Sequence, residues 1–288
     1  MKVVALVSGG KDSCYNMIQC VADGHEIIAL ANLKPAEDEV DSYMYQSVGH
    51  NVLDLYASAM DMPLFRADIK GKALNQNFDY LPTEGDEVED LYRLLLEMKK
   101  SYDFEAVSVG AIFSDYQRLR VESVCNRLGL KMLAYLWHRE QAELLKEMID
   151  CKMHAIIIKV AALGLDINKH LGMTLEEIYP HMLEMNKKFG LNVCGEGGEF
   201  ETLTLDCPLF KKRLVVKDKE VVVHSNDAFA PVGYLKLNDV VLEDKKLDIS
   251  ASQKECIIGL PIKLPSCTLE KQKCSTNECD MKYVEIKV

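Results

Sequence analysis

The chain has ten cysteines but no CxxC pair among them, and Cys267, Cys274 and Cys279 near its end are not spaced as zinc ligands. That argues against zinc ribbons and thioredoxin-type redox motifs. Cys14, Cys20, Cys125 and Cys151 fall in apolar-periodic segments, where reduced thiols pack as small hydrophobes. A cytosolic chain without disulfides is expected. No apolar run approaches the roughly 18–20 residues of a membrane span, and no basic segment precedes the first apolar run, so neither a membrane partner nor a secretory signal is expected. Basic charge is scarce as well: 34 Lys and Arg face 45 Asp and Glu, a net charge of −11. This argues against general binding to a nucleic-acid backbone. Tryptophan occurs once, at Trp137. What remains is an ordinary globular composition, 48% hydrophobic and 27% charged over 288 residues, enough for one large domain or two modest ones.

Strand-like and helix-like patterns alternate through the first half. Val3–Val7 is continuously apolar, as a strand covered on both faces should be. Cys14, Met17, Ile18, Val21 and Ala22 recur at helical spacing, and Gly24 is a natural helix terminator. Ile27–Leu30 reads as a second strand. Tyr45, Val48, Val52, Leu55, Tyr56 and Ala59 form a second helical stripe, followed by a strand near Leu64–Arg66. A third helix carries Val88, Leu91, Leu94, Leu95 and Met98, and Ala106–Val109 reads as a strand. Val121, Val124, Cys125 and Leu128 form a helical stripe before a strand at Lys131–Tyr135. Five β–α steps predict an α/β fold, a Rossmann-like open parallel sheet with ligands beyond the C-terminal strand ends. From Trp137 a smaller α+β unit is expected, with helices near 144–149 and 175–188, a strand at Ala155–Val160, and strands at Leu214–Val216, Val221–Val223 and Tyr234–Leu242. The predicted division is 1–136, 137–244 and a loosely ordered polar tail at 245–288.

Between the first strand and the first helix stands Ser8-Gly9-Gly10-Lys11-Asp12-Ser13. Backbone N–H groups at a helix start, with the helix dipole behind them, make an anion site. Glycines allow close backbone approach and serine hydroxyls add donors. The stretch is neither a Walker P-loop, since Asp12 follows Gly10-Lys11, nor GxGxxG.

Four further stretches carry candidate chemistry. Ala29–Leu33, with Ala31, Asn32 and Leu33 at the end of strand two, is placed for backbone contacts to a nucleotide base, or is an ordinary strand end. Glu84–Asp90 is acidic at a helix start, which the dipole alone accounts for; a metal or substrate role is the alternative. In Ser108–Arg118, Gly110 and Ala111 permit close approach to a nucleotide and Arg118 suits a phosphate or carboxylate. Ser114 and Asp115 in the same stretch are nucleotide contacts or simple N-caps. Cys194–Thr202 concentrates Gly195, Gly197 and Gly198 with Glu196, Glu199 and Glu201. A carboxylate-lined turn of this kind suits a cationic substrate, including ammonium, which must lose a proton before it attacks.

The Ser-Gly-Gly-Lys-Asp-Ser stretch resembles the PP-loop of N-type ATP pyrophosphatases, the adenine nucleotide alpha hydrolase-like fold. The resemblance implies that ATP is split between its α and β phosphates, that Ser8, Gly9, Gly10 and Ser13 cradle pyrophosphate, that Asp12 holds Mg2+ and that Lys11 lies near the phosphates. The segments VSGGKDSCYN, ALANL, DSYMYQSVGH, EGDEVEDLY, VGAIFSDYQRLRVE, LAYLW, IIIKVAALGL and CGEGGEFETLTLDCPLF together resemble the diphthine–ammonia ligases over about residues 1–243. This implies adenylation of the diphthine carboxylate on translation elongation factor 2, then displacement of AMP by ammonia, with Asp12, Lys11, Glu196, Glu199 and Glu201 as catalytic candidates. Diphthine bears a trimethylammonium group, which aromatic faces and carboxylates commonly hold. Tyr135, Trp137 and Phe200, with Gly195, Gly197 and Gly198 shaping the loop, are the substrate-binding candidates. Two alternatives stay open: another PP-loop adenylating enzyme acting on tRNA or a small molecule, and an ATP-binding sensor without turnover.

Overall fold

The computed structural model describes residues 1–35, 48–227 and 229–245. Tyr45 of the second stripe, most of DSYMYQSVGH and the expected tail beyond Lys245 lie outside them. The first unit runs β1 (Lys2–Leu6), α1 (Lys11–Ala22), β2 (Glu26–Lys34), α2 (Asp54–Met60), β3 (Leu64–Asp68), α3 (Glu87–Ser101), β4 (Ala106–Ser108), α4 (Asp115–Leu128) and β5 (Lys131–Leu133). Its five strands are parallel in the order β3-β2-β1-β4-β5, the Rossmann-like arrangement anticipated from the β–α alternation.

Successive side chains of a strand point to opposite faces, and β1 shows the consequence. Val3, Ala5 and Val7 enter one apolar core while Val4 enters another. β2 divides likewise, with Ile27 and Leu30 in the first core and Ala29, Ala31 and Leu33 in the second. Burial on both faces explains why these strands read as unbroken apolar runs.

The second unit contains α5 (Gln141–Asp150), β6 (His154–Val160), a single-turn α6 (Ile167–His170), α7 (Leu175–Phe189), β7 (Phe200–Asp206), β8 (Lys212–Ser225) and β9 (Val232–Asp244). Its strands form an antiparallel sheet in the order β7-β6-β9-β8. Thr174 and Glu177 close a capping box at the start of α7. The two short strands expected at 214–216 and 221–223 are one strand, β8, whose charged middle residues are exposed and so broke the apolar pattern. The first core continues across both sheets, taking in Ile156, Ile158, Leu203 and Leu235. All six cysteines among the described residues are buried free thiols, and no helix among these residues is long and apolar enough to cross a membrane.

Candidate functional site

Loops that follow parallel strands emerge on one rim of the sheet. The loops after β1 and β4 meet there, and the second unit adds the stretch 194–202, enclosing a cavity of about 580 Å³, within the range of small-molecule sites.

The Ser8–Ser13 loop is held by unusual partners. Gly9 has φ +89°, a conformation that glycine adopts without a Cβ clash. This turns its carbonyl inward, where it accepts from the Thr204 amide at 2.8 Å. The Tyr56 hydroxyl also lies within reach of it, at 2.9 Å, and of the Thr204 carbonyl at 2.5 Å. Gly10 N donates to Ser8 Oγ at 3.2 Å, and Ser13 Oγ donates to the Gly10 carbonyl at 3.0 Å. The amide of Lys11, at the first position of α1, has no partner within the helix and donates instead to Thr202 Oγ1 at 3.0 Å. Gly110 lets β4's loop pack flat on this turn: a Cβ there would fall 2.6 Å from Asp12 C and Ser13 N.

The charged centre combines Lys11, Asp12 and Glu196. Lys11 Nζ is buried, donating to Asp12 Oδ2 at 2.8 Å and to the Cys194 carbonyl at 2.5 Å, and it lies 5.1 Å from the centre of the Phe200 ring. Asp12 Oδ1 is buried without a hydrogen-bond partner. Burial pushes the Asp12 carboxyl above the usual range even against the pull of Lys11. Glu196 Oε1 accepts from Ile112 N at 2.5 Å and Phe113 N at 3.1 Å. Burial, then the Asp12 charge, raise the Glu196 carboxyl too, partly offset by these two amides and by Lys11. An unpartnered, buried carboxylate oxygen beside a phosphate-type loop fits one ligand of Mg2+, which ordinarily takes one or two carboxylates and completes its shell with phosphate oxygens and water. No cluster of three or more His, Cys, Asp or Glu suited to a self-contained metal site occurs among the described residues.

The sequence-derived candidates separate into three groups. Ser8, Gly10, Lys11, Asp12 and Ser13 line the cavity, with Ala31, Asn32, Leu33, Gly110, Ala111 and Ser114, and with Gly195, Glu196, Gly197, Gly198, Phe200 and Glu201. Asn32 is also committed structurally, its Nδ2 donating to the Val7 carbonyl at 2.8 Å and its Oδ1 accepting from Arg66 at 3.0 Å. Ser114 additionally caps α4. Glu201, at the cavity edge, is paired with Lys159 at 2.9 Å.

The second group serves the loops instead of lining the cavity. Glu199 folds back on its own turn, accepting from Asn192 N at 3.1 Å and Gly197 N at 2.8 Å. Gly9 faces the interior, as described above. Asp115 and Glu122 hold Arg118 at 3.2 Å and 2.9 Å, so that guanidinium is engaged along α4 and over the Trp137 ring at 4.8 Å.

The third group is the aromatic set, which does not converge. Tyr135 is buried with its hydroxyl on Asp23 at 2.6 Å, remote in role from the loops. Trp137 lies between Arg118 and His138, stacked on the latter at 4.5 Å. Only Phe200 borders the cavity. The acidic run 84–90 also has a structural explanation. Asp86 accepts from Leu74 N, Asn75 N and Val88 N, and Asp90 from Lys70 N and Gly71 N at 2.8 Å each.

Sequence reasoning assigned no role to Thr202, Tyr116, Gln117, His50 or Leu53, which also line the cavity. The Phe-Glu-Thr-Leu-Thr-Leu-Asp alternation was the available sign for Thr202: it is a strand, and it places Phe200, Thr202 and Thr204 on one face.

With this geometry in place, comparison with known proteins assigns the chain. The diphthamide synthase N-terminal domain family matches residues 1–132 and the diphthamide synthase C-terminal domain family residues 140–237. A human diphthine–ammonia ligase is 61% identical over 85% of this chain and 94% of its own length. A zebrafish (Danio rerio) diphthine–ammonia ligase is 58% identical over 85% and 98%. A Schizosaccharomyces pombe diphthine–ammonia ligase is 57% identical over 84% of this chain but only 40% of its own length. Among solved structures, the U34-tRNA thiolase NcsA from Methanococcus maripaludis is 14% identical, with a TM-score of 0.32 over 68% of this chain and 69% of that one; at that distance it carries no weight. The chain belongs to the diphthine–ammonia ligase family, whose members are ligases that form a C–N bond.

Proposed function

We propose that this chain amidates diphthine on translation elongation factor 2 at the expense of ATP. A diphthine carboxylate oxygen attacks the α-phosphorus, pyrophosphate leaves, and an acyl-adenylate forms. Ammonia then attacks the acyl carbon, AMP leaves with the carboxylate oxygen, and one proton is lost as the amide of diphthamide appears. The observation that carries this reading is the joint placement of Asp12 and Glu196, two half-buried carboxylates with raised proton affinity, at one cavity beside Lys11 and the glycine-rich turn.

The roles follow from chemistry. Ser8, Gly10 and Ser13 offer the hydroxyl and backbone donors of a pyrophosphate cradle, backed by the dipole of α1. Asp12 would be the protein ligand of Mg2+, which supplies charge neutralisation at phosphate oxygens. Lys11 balances the two carboxylates. Ala31–Leu33 and Gly110–Ser114 flank the base and sugar. Glu196 is anchored through Oε1 only, so Oε2 takes no hydrogen bond among the described residues. That oxygen is the group we assign to ammonium: it binds the cation and takes the proton that makes the nitrogen a nucleophile. The setting is cytosolic, with no membrane or nucleic-acid partner.

Product analysis tests the reading. The purified chain is mixed with ATP, Mg2+, ammonium and elongation factor 2 arrested at diphthine. AMP and pyrophosphate should appear only with that protein, with one new amide per factor. ADP as the product, or tight ATP binding without turnover, overturns it; AMP without amide moves the acceptor elsewhere.

A further inference from the structure

The loop at 69–86 connects β3 to α3 and is held in place by buried charge. Asp86 is fully buried, and besides three backbone amides it accepts from the Tyr80 hydroxyl at 3.3 Å. Asp90, also buried, ties down Lys70 and Gly71. Arg120 of α4, 1% exposed, donates to the carbonyls of Asn75 at 2.5 Å and Asn77 at 3.2 Å. Gly71 sits so close to the Asp86–Glu87 backbone that a Cβ would fall 2.4 Å from Asp86 C. Buried charges cost several kcal/mol of desolvation each unless fully paired, so this loop is fixed at considerable expense.

The loop so fixed buries Ile69 and Tyr80 but leaves three large apolar side chains exposed. Leu74 is 56% exposed, Phe78 70% and Leu81 69%; Phe113, in the loop after β4, is 43% exposed. Phe113 stacks at 5.2 Å on His138 of the loop after β5. All three loops follow parallel strands and share the rim onto which the cavity opens. The link to the cavity is direct. Tyr116 and, at the start of α3, Leu91 line it, and the Tyr116 ring lies 3.3 Å from the Arg120 guanidinium that holds the loop. Preformed apolar patches of this kind on otherwise polar surfaces mark protein interaction sites.

We propose that Leu74, Phe78, Leu81 and Phe113 form the docking surface for the protein that carries the acceptor carboxylate, an apolar protein face that presents its diphthine to the cavity. The occupant is argued from position. A ligand entering the cavity while still attached to a folded protein brings that protein's surface against the same rim. A rigid loop also spares the ordering entropy that a mobile one would lose on binding. The inference rests on the proposed amidation of a protein-borne diphthine.

The test uses the full chain with Phe78→Ser and Leu81→Ser combined, both side chains being exposed enough to change without disturbing the fold. A control carries Val221→Ser and Val223→Ser, also apolar and exposed, on β8. KM for the diphthine-bearing protein should rise at least about tenfold in the rim variant, as truncation of interface anchors does. kcat at saturation, ATP affinity and melting temperature should stay unchanged, and the control should match the unaltered chain throughout. A rim variant with unchanged KM overturns the proposal. So does equal loss in the control, or a sedimentation result in which the substitutions dissociate a dimer while KM holds. If the unaltered chain forms no amide, the underlying reading fails, and this inference with it.

Discussion

Gly110→Ala isolates the fit between β4's loop and the glycine-rich turn at 8–13. The added Cβ would stand 2.6 Å from Asp12 C and Ser13 N and 2.8 Å from Asp12 O, where ordinary contact begins at 3.4 Å. All three atoms are backbone, in the first turn of a helix whose own hydrogen bonds resist bending, so no side chain can swing aside. The loop and the helix start must separate by about 0.8 Å. Overpacking of this kind costs about 1–3 kcal/mol, or roughly 2–12 °C in melting temperature at ~2–4 °C per kcal/mol for a chain approaching this length. The larger effect falls on the site, because a displacement near 1 Å at reacting groups lowers rate by about 100-fold. We expect ATP affinity to fall about tenfold and kcat/KM about 100-fold, read by calorimetry and by pyrophosphate release. Gly129→Ala is the control. It carries φ +65° with nothing within 4 Å of the new Cβ, so it should lose about 1–2 kcal/mol of stability with ATP affinity intact. Gly110→Ala binding ATP within twofold of the unaltered chain would refute the reasoning.

Glu196→Gln should abolish amide formation while leaving ATP binding, and its unliganded melting temperature near pH 7 should equal or exceed that of the unaltered chain. The sign follows from the raised carboxyl: above its ordinary value the folded state holds the proton longer than the unfolded one, so ionisation at neutral pH costs stability that glutamine does not lose. Scanning calorimetry from pH 7 to pH 4.5 should show the advantage shrinking. Thr202→Val removes the acceptor of the Lys11 amide and should cost about 1–3 kcal/mol together with ATP affinity; urea unfolding and nucleotide titration check both. Burial, then His181 stacked at 4.3 Å and Lys169, hold the His170 imidazole down to about 4. Stability should therefore fall as pH drops from about 6.5 toward 4, where only the unfolded chain takes the proton. His170→Phe should flatten that part of the profile.

The first unit was legible because its signals are local. Strands buried on both faces read as unbroken apolar runs, and the helix stripes kept their period except the second, where Gly49 at φ +79° and a 3-10 turn at His50–Val52 delay the helix to Asp54; the sheet and its cavity-bearing rim followed from residues 1–135. The glycine-rich turn at 8–13 was legible for the same reason: the residues that make it are adjacent in the chain. The roles of the glutamates were not. Glu196, Glu199 and Glu201 look alike in sequence, yet one reaches the amides of Ile112 and Phe113, one closes its own turn and one pairs with Lys159. Those partners lie up to 84 residues away, and spacing cannot reveal them. The aromatic expectation failed through packing. Tyr135 follows the edge strand β5, and its hydroxyl found Asp23 at the far end of α1, while Trp137 found a cation. The acidic run at 84–90 was legible as structural, but its particular task was not, because its carboxylates serve amides of a loop that carries no motif.

The two matched segments meet in a reciprocal contact that explains why the core runs across both sheets. The Ser8–Ser13 turn belongs to the first unit, but its inward carbonyl and its helix-start amide are satisfied by Thr204 and Thr202 of β7. The glycine-rich turn belongs to the second unit, but Glu196 is anchored on amides of the loop after β4, and its Cys194 carbonyl is held by Lys11. Unmet polar groups in such a setting cost about 1–3 kcal/mol each, so neither turn is stable in its working shape until the two sheets pack. The interaction that shapes the turn proposed for the phosphates is therefore the one that positions the carboxylate assigned to ammonia. A change in packing between α1 and β7 should alter both half-reactions together, whereas a change at Glu196 alone should spare the first.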